Sequence, residues 1–352
     1  MNKNTKIIAG AALAGLLSAT LILGGIAYKI KFSSCYDKKE KTYLYLDNED
    51  TERSLMDKLH ESKVNTFGWG ILQTVSSFKL HTGRYAIEPG MSILDLFRRL
   101  RNHQQEPIML TVPSMRLSIA PEGKPQPFVL DKLVSLFAEK LMADSTSIAA
   151  AMSDMSAYTA YGLNSKTFPT LFLPNSYEVY WDITPQKLME RMAREYQNFW
   201  TNNRREKAKK HGLTPAEASI LASIVEEETA NSQEKPMVAG LYLNRLHQGM
   251  LLQADPTVKY AVGDWSLRRV LNVHLQADSP YNLYRNKGLT PGPLRMPTTA
   301  GIDAVLNAAN HNYIYMCAKE TFDGTHNFAA TYKEHQANAK RYVKALNARG
   351  IK

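Results

Sequence analysis

Between Lys6 and Lys29 the chain carries 22 consecutive residues without a charge, IIAGAALAGLLSATLILGGIAY, from Ile7 to Tyr28. A helix of that length reaches across a bilayer core of roughly 30 Å. Lys3 and Lys6 precede it, and Lys29 and Lys31 follow. A signal peptide has a shorter apolar core and a small-x-small cleavage site. Neither feature is clear here, so an uncleaved anchor is expected. Cys35 lies beyond the charged flank, behind Phe32-Ser33-Ser34, which does not fit lipoprotein processing. Lysines on both sides leave the positive-inside rule undecided. With so short a tail before the anchor, export of the large C-terminal part is the default expectation.

The remainder has the composition of an ordinary globular protein, and 352 residues allow two modest domains. A formal charge of +10 points to an anionic partner or surface. Zinc-ligand spacings, RNA-binding aromatic motifs and a basic zipper are all missing, so no nucleic-acid partner is expected. The basic run Arg204–Lys210 reads as a solvated helix face. Two cysteines, Cys35 and Cys317, exclude a disulfide-stapled fold and a cysteine-rich metal site. Two unrelated free thiols are expected.

After a polar linker over 29–41, short apolar runs alternate with helical patterns. Strand-like Thr42–Leu46 precedes a helix over Thr51–Leu59. Gly83–Ile87 leads into a helix over Ser92–Arg101, and Pro107–Val112 into a proline-rich loop and a helix from Phe128 to Met142. Gly68-Trp69-Gly70 reads as a turn. Helices are expected over Ser145–Met155 and Pro185–Lys210, with Phe172–Tyr177 as a loop between them. Further on, Asn231 and Glu234 read as a capping box opening a helix to His247, with Gly249 as its stop. Asp255-Pro256 starts a short helix, residues 279–297 form a loop, and a helix spans Gly301–Asn310. A strand Tyr313–Ala318 turns at Asp323-Gly324 into a strand through His326, and a helix from Tyr332 to Ala348 closes the chain.

The stretch Thr214–Thr229, TPAEASILASIVEEET, holds three consecutive glutamates. Thr214, Pro215 and Glu217 are an N-cap, a first-turn proline and a capping-box acid. From that start, with Leu221 at zero, Ile224, Val225 and Glu228 fall at about 300°, 40° and 340°. Glu226 and Glu227 fall at about 140° and 240°, on the polar face and its flank. Only Glu228 continues the apolar stripe. A carboxyl there is partly desolvated, and its raised pKa suits proton transfer near neutral pH. Taken alone, a core glutamate paired with an arginine such as Arg245 is the simpler reading.

Signatures for serine hydrolases, zinc peptidases, phosphate loops and dinucleotide binding are absent. The histidines His311, His326 and His335 lack zinc-site spacing. Asn244, Gln253, Tyr281, Asn282 and Tyr284 are residue types that pair with sugar hydroxyls and pack on sugar C–H faces. With an isolated acid on an exported chain, they favour glycoside chemistry.

The ordered segments Ile224-Val225-Glu226-x-Glu228-Thr229, Asn244-Arg245-Leu246 and Gln253-x-Asp255-Pro256-Thr257-Val258-x-Tyr260 resemble the YceG family of endolytic murein transglycosylases, the MltG type. Pro280-Tyr281-Asn282-x-Tyr284, Gly288-Leu289-x-Pro291-Gly292-Pro293 and His326-x-Phe328 fit the same pattern, and Phe172–Glu178 resembles the family's upstream loop. Thr290 stands where the family often has a second proline. The resemblance implies an α+β protein with a cytoplasmic tail and single transmembrane anchor (1–28), a linker (29–41) and an N-terminal α/β region (42–160). That region would include a LysM-like βα segment at about 83–102. A helical connection (161–212) and a mixed α/β catalytic domain (213–348) would complete it.

The implied reaction cuts MurNAc-β-1,4-GlcNAc bonds within peptidoglycan strands, with nascent strands as the expected target and no cofactor or metal. Glu228 would be the catalytic acid and base. Asp255 is a second carboxylate or, more simply, an N-cap. Gln253 and Asn282 are sugar ligands or loop-fixing amides, Tyr260 and Tyr284 groove walls or core rings, and His326 is the histidine best placed for the site. The implied partners are glycan strands, the inner membrane, and peptidoglycan synthases or divisome proteins. The implied location is the inner membrane, with the catalytic domain on its outer side. A non-catalytic wall-binding scaffold and a muramidase-type hydrolase are the competing classes.

Overall fold

The computed structural model describes residues 3–118, 131–154 and 156–350. It divides into two compact units. The first holds the described residues up to Leu110 together with Lys140–Ala143 and Glu178–Ile183; the second holds those within Thr111–Glu139, Asp144–Tyr177 and Thr184–Lys352. The chain thus divides near residue 110, and the boundary expected at 160 falls inside the second unit.

In the first unit, helix α1 (Lys3–Phe32) is long and apolar enough to cross a membrane, with mean hydropathy 1.8 over Ala11–Phe32. It is compatible with a single-pass anchor. Ile30, at the end of α1, and the following Cys35 and Tyr36 are buried in this unit's core. Strand β1 (Thr42–Leu46), helices α2 (Glu52–Glu61) and α3 (Trp69–Val75), strand β2 (Gly83–Ile87) and helix α4 (Ile93–Arg101) follow. β1 and β2 pair antiparallel, Thr42 opposite Ile87 and Leu46 opposite Gly83. The local signals place these elements well: Thr51 forms a capping box on α2, and Ser92 caps α4. The expected turn at Gly68-Trp69-Gly70 is instead a helix start. Gly68 takes the left-handed conformation (φ 89°), and Trp69 opens α3 with its indole buried against Phe97.

Strand β3 (Ile108–Val112) pairs with β4 (Asn175–Val179), so part of the expected Phe172–Tyr177 loop is a strand. Between them lie α5 (Asp131–Lys140), α6 (Ser145–Ser153) and α7 (Ser156–Thr159). Phe128–Leu130, the expected start of the helix here, most of the proline-rich loop before it, and Met155 lie outside the described residues. The helix expected over Pro185–Lys210 is two, α8 (Pro185–Phe199) and α9 (Asn202–Lys210). Trp200 leaves helical geometry (ψ 65°), and Thr201 caps the second helix.

The second unit is built around α10 (Pro215–Glu228). Around it stand α11 (Lys235–His247), α12 (Asp255–Val262), α13 (Thr299–Leu306), the hairpin of β5 (Tyr315–Ala318) and β6 (His326–Ala329), and α14 (Tyr332–Ala348). The Thr214–Glu217 capping box is present. One turn of an amphipathic helix would leave a wet face, but α10 has none in its middle: Ala218 through Glu226 are all buried. A helix covered on every side is central to its domain. Arg204 of α9 makes a two-pronged ion pair with Asp303 of α13, at 2.8 and 2.9 Å, so one end of the basic run is a packing contact.

Candidate active site

The C-terminal turn of α10 carries three carboxylates with different fates. Glu226 is 9% exposed; its side chain accepts from the backbone N–H and hydroxyl of Thr298 and pairs with Lys235 at 3.3 Å. Glu227 pairs with Arg116 at 2.8 Å and with Arg295 at 3.1 Å. The polar face assigned to these two from helix phase is therefore a buried ion network. Phase assumed solvent on one side, and tertiary packing removed it. Gly301 of α13 passes so close that a Cβ there would meet Glu226 Oε1 at 2.5 Å.

Glu228, the last residue of α10, is half-buried and accepts a hydrogen bond from Tyr242 Oη of α11 at 2.8 Å. No cation pairs with it among the described contacts. Arg245, the partner expected if Glu228 were structural, instead donates to the carbonyls of Ile314 at 2.6 Å and Leu252 at 2.7 Å. Burial pushes the Glu228 carboxyl up to about 7, and the neighbouring Asp255 adds to the rise. The Tyr242 hydrogen bond and the nearby His326 and Lys259 pull the other way. The result is an acid that is half protonated near neutral pH.

Glu228 lines a cleft of about 380 Å³ together with Gln253, Asp255, Tyr284 and His326. Tyr242, Arg245, Tyr315 and His335 complete its polar lining. Asp255 is not the N-cap it was expected to be. Ala254 occupies that position, and Asp255, one residue later, accepts from Tyr284 Oη at 2.6 Å. Gln253 holds a left-handed backbone (φ 51°) fixed by its N–H to Leu283 O at 3.1 Å, and its side chain is exposed. Glu234, expected in a capping box, does not cap α11. Its carboxylate accepts from the backbone N–H of His326 instead, at 2.7 Å.

The other four expected ligands are placed outside the cleft lining. Asn244 Nδ2 donates to the carbonyls of His311 and Tyr313, at 2.8 and 3.0 Å, and so ties α11 to the segment entering β5. Asn282 is fully buried and holds the carbonyls of Leu275 and Ala277, both at 2.9 Å. Tyr260 and Tyr281 pack ring on ring, centroids 4.6 Å apart, inside the core. Thr290 closes its loop by donating to Gly292 O at 2.7 Å, and the backbone turns there without a second proline. Sequence reading passed over Tyr242, although its place fourteen residues after Glu228, on the helix packed against it, was the available signal. Among the described residues no cluster of three His, Cys, Asp or Glu side chains is arranged to hold a metal.

Tyr242→Phe checks the electrostatics of the acid. Removing a hydrogen bond to the carboxylate form lets the Glu228 pKa rise further. A pH titration followed by the carbon NMR signal of the Glu228 carboxyl should show a higher midpoint in the variant than in wild type.

The family model for the YceG-like family matches residues 44–341. An endolytic murein transglycosylase of Bacillus subtilis is 35% identical over 150 residues, covering 43% of this chain and 41% of the relative. One from Streptococcus pneumoniae serotype 2 is 28% identical over 301 residues, covering 75% of this chain and 51% of the relative. The chain thus spans about half, or less, of the length of the curated relatives it matches. A crystal structure of a YceG-like protein from Listeria monocytogenes superposes with a TM-score of 0.52 at 21% identity, over 85% of this chain and 99% of that one, and supports the fold. With the family model covering most of its length, the chain belongs to the YceG-like family.

Proposed function

We propose that the chain is a membrane-anchored endolytic lytic transglycosylase that cuts MurNAc-β-1,4-GlcNAc bonds inside peptidoglycan strands. The observation that carries this reading is Glu228, a carboxyl raised to about 7 by burial, in a polar cleft and with no paired cation among the described residues. Protonated Glu228 gives its proton to the glycosidic oxygen as the C1–O bond breaks. The resulting carboxylate then takes the proton of the MurNAc C6 hydroxyl as that oxygen attacks C1. The ring closes to a 1,6-anhydro sugar, and the enzyme ends with its proton restored. One acid and base suffices because the nucleophile belongs to the substrate and is already positioned by it.

On this reading residues 213–348 are the catalytic part, exported across the membrane that α1 anchors to, and residues 83–102 are a LysM-like glycan-binding segment. Nascent strands and the enzymes that synthesise them are the natural partners. Incubating the purified chain with murein should yield 1,6-anhydroMurNAc ends by mass spectrometry. Intact strands that nonetheless bind the protein would instead make it a scaffold.

One observation favours a second reading. Asp255 shares the cleft with Glu228, and a pair of carboxylates is what a hydrolase needs to activate water. A muramidase of that kind would leave reducing ends. Asp255→Asn separates the two: transglycosylation should continue at a reduced rate, whereas hydrolysis should stop.

A further inference from the structure

Glu234 has no part in the reaction above, yet its carboxylate joins the chain next to Glu228 to a histidine that lines the same cleft. It is 8% exposed, and three donors converge on it. Thr229 Oγ1, in the residue after Glu228, donates to Oε2 at 3.0 Å. The His326 backbone N–H donates to Oε1 at 2.7 Å, and His326 Nδ1 lies 2.8 Å from Oε2. A carboxylate that receives a hydroxyl and a backbone N–H meets a third neighbour with acceptor oxygens. The imidazole nitrogen beside it must therefore carry its proton, which leaves Nε2 as the other ring nitrogen. The same ring lines the cleft with Glu228.

We propose that Glu234 is a positioning residue for this site. It holds His326 in the Nδ1–H tautomer and ties that ring to the chain next to Glu228. In that tautomer Nε2 is the ring nitrogen left as a fixed acceptor for a hydroxyl or acetamido N–H of the bound sugar. The inference rests on the glycan-cleaving reading for its substrate, but not for its geometry. A carboxylate behind a histidine sets both the tautomer and the orientation of the ring, and behind metal-binding histidines its removal costs about 10–100-fold.

Two measurements on the full chain in detergent test it. Nitrogen NMR of histidine-labelled protein, with the His326 signal assigned through His326→Gln, should show a protonated Nδ1 and a bare Nε2. In Glu234→Gln, whose amide N–H can face the ring, the pattern should reverse. In murein cleavage, Glu234→Gln should lower kcat/KM by about tenfold or more. The same substitution made on top of His326→Ala should cost nothing further, because both act through one ring. A wild-type His326 bare at Nδ1, or losses that multiply in the double variant, would overturn the proposal. If the wild-type protein makes no anhydro ends, the proposed function fails, while the tautomer measurement still decides this inference.

Discussion

Glu228→Gln should leave a folded protein whose rate of glycan cleavage is lower by about 1,000-fold or more, the upper range for loss of a group with the proposed role of acid and then base. The substitution keeps the shape and lets Tyr242 still donate, now to an amide oxygen. It removes only the transferable proton. Stability should move the opposite way. The carboxyl has its pKa raised from 4.5 to about 7 in the fold. In the unfolded chain it ionises first, so wild-type stability is lost as pH rises through this window and stays lower above it. Glu228→Gln has no such loss. Relative to wild type it should gain up to about 3 kcal/mol between pH 4 and pH 8, less to the extent that water in the cleft screens the charge. Denaturant melts at the two pH values check the sign. A variant that keeps cutting, or one whose relative stability falls with rising pH, would contradict the assignment.

Arg295→Met should have the largest effect on stability. The guanidinium lies 3.1 Å from Glu227 and 3.7 Å from Glu226, and donates to Ser114 at 2.8 Å. Both glutamate side chains are only 3% exposed. Without Arg295 two buried carboxylates share Arg116 and Lys235, and neither can relax into water. Breaking a buried pair from one side costs about 3–5 kcal/mol. A drop in Tm of roughly 10 °C is expected for a unit of this size. Adding Glu227→Gln should recover part of it, because the stranded charge is then gone. Glu226→Gln, by contrast, should weaken the fold but leave cleavage in place, since Glu226 faces α13 and not the cleft. If Arg295→Met melted like wild type, the ion network would be a surface feature and the account of α10 wrong.

These two variants also mark what was legible in the residues alone. Thr214, Pro215 and Glu217 act within one turn of chain, so the start of α10 could be read locally. Glu228 could be separated from its neighbours, but for an incomplete reason: phase gave Glu226 a wet face, whereas partners distant in sequence, Thr298 and Arg295, enclose it. The small residues Ala218, Ser219, Ala222 and Ser223 were the available hint that neighbours approach this helix from every side. Asp255 looked like a cap and Glu234 like half of a capping box, since local rules score both types highly at those positions. Their real partners, Tyr284 and His326, lie 29 and 92 residues away. Asn282 and Tyr260 have the chemistry to hold sugars but are consumed by loop carbonyls and ring packing. Residue type identifies what a side chain can bind, and only the fold decides which way it turns.

In the proposed reaction the substrate supplies its own nucleophile and Glu228 merely moves the proton. Digesting murein with the wild-type protein in water enriched in heavy oxygen tests this directly. The account predicts 1,6-anhydro ends that carry no label. Reducing MurNAc ends with the label at C1 would show that water attacked, and would contradict it.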